Sequence, residues 1–382
     1  MILLLAQLAM ASYGAHHRTA EFRALFTRVL ADVKEFIGTK NDVLVLTSSG
    51  TGFMEASVSN LTSPGDHVLV LTAGKFGERW VALAKAFGCE VETVTAPYGE
   101  TFSLDDVRRK LTPEIRCVYM QATESSTGVR HDVEAIAKLV HASSGAQPDT
   151  LLVVDAITGL GTTRLDVDGW GIDIILGGSQ KALMIPPGLS YGAVSERAWQ
   201  RMEHTSSPRY YFDLRKERKS AAKAETSSTP ATALFAGLAA ALDYVRQMGD
   251  GSLAAGRDAL IANAELCAAM TRVGVEALGL KLFAPSSPSA ALTAVAPPAG
   301  TDSTAICKRF REQFGAVVAN GNAEMKGQLF RIAHIGYYDY LDTIGVLAAL
   351  EQVLAEVTGR AVEFGSAVRA AQEVYTRGTA KV

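Results

Sequence analysis

Apolar and polar positions alternate along this chain in two rhythms. From Glu21 to Ile37, Phe22, Leu25, Phe26, Val29, Leu30, Val33, Phe36 and Ile37 recur at helical spacing and Gly38 follows as a stop, which predicts an amphipathic helix. DVLVLTSSGTG then reads as a strand running into a Gly-rich turn, and FMEASVSNL as a helix ended by Pro64-Gly65. The unit repeats with HVLVLTAG (67–74) before a helix at 76–87, VETVTA (91–96), IRCVYMQA (115–122) before DVEAIAKLVHA, TLLVVDA (150–156) and IDIILGG (172–178). Strands apolar on both sides and separated by helices predict an α/β fold with a mostly parallel sheet covered on both faces, whose ligand crevice lies at the carboxyl ends of the strands.

Beyond residue 200 the rhythm changes. HTSSPRYYFDLRKERKSAAKAETSSTP (204–230) reads as a long surface connection with a solvated basic face. Helices at 231–245 and 253–278 follow, then a strand within 285–300, a helix over DSTAICKRFREQF, the strand LFRIAHIG and a helix at 341–357. This predicts a large domain, 1–250, and a smaller α+β domain, 251–382, with the amino-terminal segment able to pack on the latter.

Length and composition agree with that division: 382 residues, 48% hydrophobic and 20% charged, suit a globular protein of two domains, or one large domain with an appendage, and exclude a disulfide miniprotein or a wholly disordered chain. The net charge of −3 supplies no global basic field, so nucleic acid is not an expected partner. Cys89, Cys117, Cys267 and Cys307 stand far apart without a CxxC pair, which predicts reduced thiols and a cytoplasmic location. MILLLAQLAMASYGA imitates a signal peptide, yet no Lys or Arg precedes its apolar run; a helix or strand packed on the core is expected, and no membrane span. His16, His17, His131 and His141 show no metal-ligand spacing, so no metal is expected.

Three strand ends carry chemistry. Ser48-Ser49-Gly50-Thr51-Gly52 leads straight into a helix, offering backbone N–H groups and hydroxyls to a phosphate. Asp155 ends a buried strand and needs a cationic or hydrogen-bonding partner. Lys181 follows an apolar strand and precedes ALMIPPG; desolvation there lowers an amine's pKa and makes it a Schiff-base nucleophile. A phosphate, a ring nitrogen that wants a carboxylate and an aldehyde that wants a lysine together describe pyridoxal 5′-phosphate.

With SSGTGFMEA, QATESSTGV, LLVVDAITGLG, GGSQKAL, PPG and FRIAHIG in order, the chain resembles the class V, fold-type I pyridoxal-phosphate aminotransferases over about residues 16–357. The resemblance is to the alanine–glyoxylate, serine–glyoxylate and serine–pyruvate transaminases, including relatives once labelled as a soluble hydrogenase subunit. It implies a homodimer with shared active sites that moves an amino group from alanine or serine to glyoxylate or pyruvate in a ping-pong cycle through a Lys181 aldimine. It further implies Asp155 at the pyridine nitrogen, Ile157 and Phe76 on the two ring faces and Ser125 near the ring hydroxyl. Ser49, Gly50, Thr51 and Gln180 hold the phosphate, with Thr229, or Thr226, reaching the partner subunit's phosphate, and Arg331 takes the substrate α-carboxylate.

Members usually open with a Gly/Pro-rich segment of the type GPTPVPP beside the substrate site. Here MILLLAQLAM stands in the register of the segment after it, which predicts a short start or a more open pocket. A cysteine desulfurase of the same fold is disfavoured, since Gln180 precedes Lys181, no Cys lies between Cys307 and Arg331, and Phe76 stands where a histidine would stack. A lyase or decarboxylase, or a pyridoxal-phosphate-binding subunit without catalysis, remains as an alternative on this fold.

Overall fold

A computed structural model describes residues 2–143 and 150–379. Its strands in chain order are β1 (Asp42–Leu46), β2 (His67–Thr72), β3 (Glu90–Thr95), β4 (Ile115–Gln121), β5 (Thr123–Glu124), β6 (Val129–Arg130), β7 (Leu151–Asp155), β8 (Ile174–Gly178) and β9 (Ser190–Val194). β10 (Lys281–Leu282), β11 (Leu292–Ala296), β12 (Ala319–Asn320) and β13 (Phe330–Ala333) follow. The helices are α1 (Leu4–Ser12), α2 (Ala20–Ile37), α3 (Gly50–Leu61), α4 (Lys75–Ala86), α5 (Leu104–Lys110), α6 (Val133–Ser143), α7 (Glu196–Met202) and α8 (Leu214–Ala221). The chain continues through α9 (Thr232–Met248), α10 (Leu253–Ala277), α11 (Ser303–Phe314), α12 (Tyr340–Thr358) and α13 (Ser366–Thr379).

The main sheet has seven strands in the order β1-β9-β8-β7-β4-β2-β3. β3, β2, β4, β7 and β8 pair in parallel, while β9 runs antiparallel to both β8 and β1. The α/β expectation holds, with the sheet mixed rather than wholly parallel. β9 is absent from the sequence reading because SYGAV is five residues long, carries Gly192 and follows Pro186-Pro187-Gly188, the punctuation of a loop. One core, including Phe22, Phe26, Val33, Met120, Val154, Phe235 and Leu242, covers one face of the sheet; another, including Phe53, Val58, Trp80, Tyr119, Val153 and Leu214, covers the other. β7 and β8 are buried along their whole length, as strands covered on both faces must be.

Local chemistry fixes the ends of these elements. The Thr19 hydroxyl accepts from the Phe22 N–H at the start of α2, and Gly38 closes that helix with φ 79°, a left-handed conformation that glycine adopts without a Cβ penalty. The stretch read as surface connection contains α8: Asp213 caps it by accepting from the Arg215 and Lys216 N–H groups, and Leu214 and Glu217 are buried, so one face of the basic run is anchored. The four cysteines are unpaired. Among the described residues no helix is long and apolar enough to cross a membrane.

The apolar start of the chain is α1, seated along α9 rather than on the second sheet. Leu3 and Ala6 are buried in the first core, Met10 lies against Gly237, and the Leu3 N–H donates to the Met184 carbonyl at 2.9 Å. The second sheet, β10-β11-β13-β12, is antiparallel throughout and buries Val295, Phe330 and Ile332 against Ile306, Phe310, Leu350 and Val353 of α11 and α12.

α10 joins the two sheets and crosses α9 at very short range: a Cβ on Gly256 falls 1.9 Å from the Val245 carbonyl oxygen, a backbone atom with no freedom to yield. Gly256→Ala therefore prises α9 from α10. Thermal denaturation is expected to show a loss of about 1–3 kcal/mol, a fall of several degrees in Tm, whereas Gly345→Ala, at a helical position of α12 with open space around it, causes no such loss.

Candidate active site

The carboxyl ends of β4, β7 and β8 and the start of α3 and α4 converge on one cluster. α3 begins at Gly50, and the Ser49 side chain makes no cap hydrogen bond, which leaves the helix start without a side-chain cap. Gly50 is there because of Ile157: a Cβ at that position would lie 2.2 Å from Ile157 Cδ1. The same isoleucine lies beside Gly178, whose neighbourhood also holds the Gln180 amide. Ile157 thus spans the α3 turn and the β8 turn, the two segments that carry the phosphate-holding candidates and the lysine.

Asp155 ends β7 almost fully buried, and its Oδ1 accepts the Ile157 N–H at 2.8 Å. Burial pushes its carboxyl up to about 7, the Ile157 bond opposes this, and nearby Glu124 adds to it while Arg79 and Lys181 pull it back. Among the described residues it makes no ion pair. Lys181 sits in the turn after β8, half-buried; burial lowers its amine's pKa, Asp155 raises it and Arg331 lowers it further. Arg331, on β13, donates from Nη1 to the Ser125 carbonyl at 2.7 Å, and from Nη2 to the Asn320 carbonyl at 2.7 Å and to Asn322 Oδ1 at 3.1 Å. Its Nε is buried without a partner.

Glu124 is the member that the sequence reading lacks. It is completely buried at the end of β5, and its carboxylate accepts the N–H groups of Phe76 (3.1 Å), Gly77 (3.0 Å) and Ser126 (3.1 Å) and the Ser126 hydroxyl (2.5 Å). Burial raises its pKa and these bonds hold it down. Seated on the first N–H groups of α4, it caps that helix and satisfies its positive end. Phe76 is thereby fixed by its own backbone, with its ring free to face the site. The signal was present: Glu124 follows the IRCVYMQA run as Asp155 follows TLLVV. Arg79, one helical turn beyond Phe76, is the second omission. Its guanidinium lies over the Phe76 ring, 4.8 Å from the centroid, and its Nη1 donates to Thr51 Oγ1 at 3.0 Å.

The structure thus brings Gly50, Thr51, Phe76, Ser125, Asp155, Ile157, Gln180, Lys181 and Arg331 into one connected set, with Ser49 at its rim. Thr226 and Thr229 stand apart from it. They lie on the loop after α8 beside Thr47, Tyr211 and Phe212, where the Thr226 hydroxyl donates to the Ser228 carbonyl at 2.7 Å and Thr229 is exposed.

Unmet hydrogen-bonding and charge demands define what this set accepts. The start of α3 lacks a cap, the Gln180 amide oxygen and Arg331 Nε are buried and unpaired, and Asp155 has no cation in contact. Gln121, in register with Asp155 on β4, keeps both amide atoms buried and unpaired as well. An anion at α3, a protonated ring nitrogen at Asp155 and a carboxylate at Arg331 answer the demands of the helix start, the buried carboxyl and the arginine Nε, so these residues fit pyridoxal phosphate and an amino or oxo acid.

Comparison with known proteins points the same way. The profile of the family described as Aminotransferase class-V matches residues 4–271. A Synechococcus protein named soluble hydrogenase, small subunit, is 38% identical over 373 residues, 96% of this chain and 94% of that one. The L-aspartate–glyoxylate aminotransferase of Paracoccus denitrificans is 33% identical over 371 residues, covering 95% and 91% of the two chains. The crystal structure of an alanine–glyoxylate aminotransferase from Nostoc superposes with a TM-score of 0.85 at 28% identity over 92% of each chain. The buried lysine and carboxylate, the seven-stranded mixed sheet and these likenesses place the chain in the class-V aminotransferases, the pyridoxal-phosphate-dependent enzymes of fold type I that exchange amino groups between amino acids and 2-oxo acids.

Proposed function

We propose that this protein transfers the amino group of alanine or serine to glyoxylate or pyruvate in a ping-pong cycle. The observation that carries the reading is the half-buried Lys181 amine in the turn after β8, within the electrostatic reach of both the Asp155 carboxylate and the Arg331 guanidinium. Pyridoxal phosphate, when bound, supplies an aldehyde for the amino group and a ring that withdraws electrons from the substrate's α-carbon.

This chain's residues do the rest. Arg331 binds the substrate carboxylate with the planar fork that now reaches Ser125, Asn320 and Asn322. Lys181, its charged form disfavoured by burial, would hold the cofactor's aldehyde and offer a neutral amine able to take up and give back the substrate's α-proton. Asp155 would hold the ring nitrogen protonated, Phe76 and Ile157 would take the ring faces, Ser125 would lie near the ring hydroxyl, and Ser49, Gly50, Thr51 and Gln180 would hold the phosphate.

A small donor is favoured because one arginine, Arg331, meets the lysine, whereas Arg79 is engaged with Thr51. Aspartate as donor is the second reading, supported by the Paracoccus relative. A homodimer is supported by the outer side of α1, where Leu4, Leu5 and Leu8 are exposed, and by exposed Tyr210 and Tyr211 close before the loop of Thr226 and Thr229. In that dimer Thr229, or Thr226, reaches the partner's phosphate.

The protein loaded with pyridoxal phosphate is expected to convert alanine and glyoxylate into pyruvate and glycine. Lys181→Ala should lose its visible cofactor absorbance and at least about a thousandfold in turnover. Donor consumption beyond one equivalent per active site without an added oxo acid overturns the reading in favour of a lyase or decarboxylase, and a panel in which aspartate outruns alanine and serine selects the second reading.

A further expectation concerns pH in the cofactor-free protein. The folded state holds the Asp155 proton up to about pH 7, whereas an unfolded aspartate releases it near 3.8, so the unfolded state binds fewer protons in between and stability falls as pH rises across that window. The loss is no more than about 4 kcal/mol. Asp155→Asn should flatten this slope in thermal melts run from pH 4 to 8; an unchanged slope assigns the dependence to other groups.

A further inference from the structure

Arg79 has no assigned role, and its surroundings are unusual for an arginine. Its Nη1 donates to the hydroxyl of Thr51, in the first turn of α3, at 3.0 Å, and its guanidinium lies 4.8 Å from the centre of the Phe76 ring. Among the described residues it forms no ion pair. A helix start carries about half a positive charge. A guanidinium brought there without a carboxylate adds like charge to like, an arrangement that is favourable only if an anion joins it. Asp155 feels the charge of Arg79 but also that of Lys181, and its assigned place is the opposite end of the cofactor's chemistry, the ring nitrogen.

The other phosphate-holding candidates are neutral: the hydroxyls of Ser49 and Thr51, the backbone at Gly50 and the amide of Gln180. Against a phosphate of nearly two negative charges they offer hydrogen bonds and half a helix charge, but no full countercharge. We propose that Arg79 is that countercharge: through the nitrogens its Thr51 bond leaves unused it pairs with the cofactor's phosphate, while the Phe76 ring beneath the guanidinium keeps the fork aligned. The inference rests on the assignment of the phosphate to the start of α3. It also removes Arg79 from the list of cations open to a substrate's second carboxylate, and so ties the choice of donor to the binding of the cofactor.

Cofactor-free protein titrated with pyridoxal phosphate and, separately, with pyridoxal tests this by absorbance. Arg79→Gln is expected to raise the dissociation constant for pyridoxal phosphate roughly 10- to 100-fold, to leave that for pyridoxal within about twofold, and Arg79→Lys to restore part of the loss. Equal weakening toward both compounds would show that Arg79 acts through Phe76 and overturns the proposal. So does unchanged affinity for pyridoxal phosphate, with or without a raised KM for aspartate. Should Arg79→Gln not fold, the wild-type protein answers instead: pyridoxal phosphate, and not pyridoxal, should protect Arg79 from phenylglyoxal, read by peptide mass spectrometry, and equal labelling with and without the cofactor overturns the proposal. A wild-type protein that binds no pyridoxal phosphate would refute the cofactor assignment itself, a different result from either.

Discussion

A carboxylate without water holds this site together. Glu124 is fully buried, and an ionised carboxyl in that position costs several kcal/mol unless every lone pair is used. Three backbone N–H groups and one hydroxyl use them, and two of those N–H groups open α4. The positions of the helix, of Phe76 on its first turn and of Ser125 next in the chain all follow from that one demand. From Ser125 the chain of contacts runs on: its carbonyl accepts Arg331, Arg331 holds Asn320 and Asn322, and Glu324, two residues further, pairs at 2.7 Å with Lys75, the first residue of α4. The ring closes on the helix at which it began and crosses from the seven-stranded sheet to the four-stranded one.

The electrostatics of the cluster follow a simple count. Asp155 and Glu124 bring two potential negative charges, and Lys181, Arg331 and Arg79 three positive ones, in a place where burial moves Asp155 and Glu124 toward the neutral acid and Lys181 toward the neutral amine. The imbalance is therefore positive at each end and mild in the middle. Such a pocket suits a ligand that is anionic at its extremities and reactive at its centre, which is the form of a phosphorylated aldehyde meeting an amino acid.

How much of this was legible in the sequence depended on the length of the apolar run before each residue. Asp155 ends, and Lys181 follows, a strand of five residues that is buried throughout, so their types stood out against their surroundings. Glu124 obeys the same rule but ends a two-residue strand behind Ala122, and its neighbours Ser125, Ser126 and Thr127 made it look like part of a polar loop. Arg79 gave no signal, because on an amphipathic helix a charged residue beside a glutamate reads as solvent-facing; only the folded contact with Thr51 and Phe76 distinguishes it. β9 was hidden by its glycine and preceding prolines, and α8 by the charge of its exposed side. Thr226 and Thr229 were named only from the family resemblance, as residues that reach a second subunit, and in the single chain they lie outside the cluster.

The ring through Glu124 and Arg331 has a consequence for how ligands sense one another. A ring stacked on Phe76 and a carboxylate gripped by Arg331 would act on elements of different sheets, yet on the same closed ring of contacts. Coupling between two binding events is reciprocal by thermodynamic necessity. Whatever free energy a carboxylate at Arg331 adds to or takes from the hold on Phe76, a ring against Phe76 would add to or take from the hold on Arg331 by the same amount.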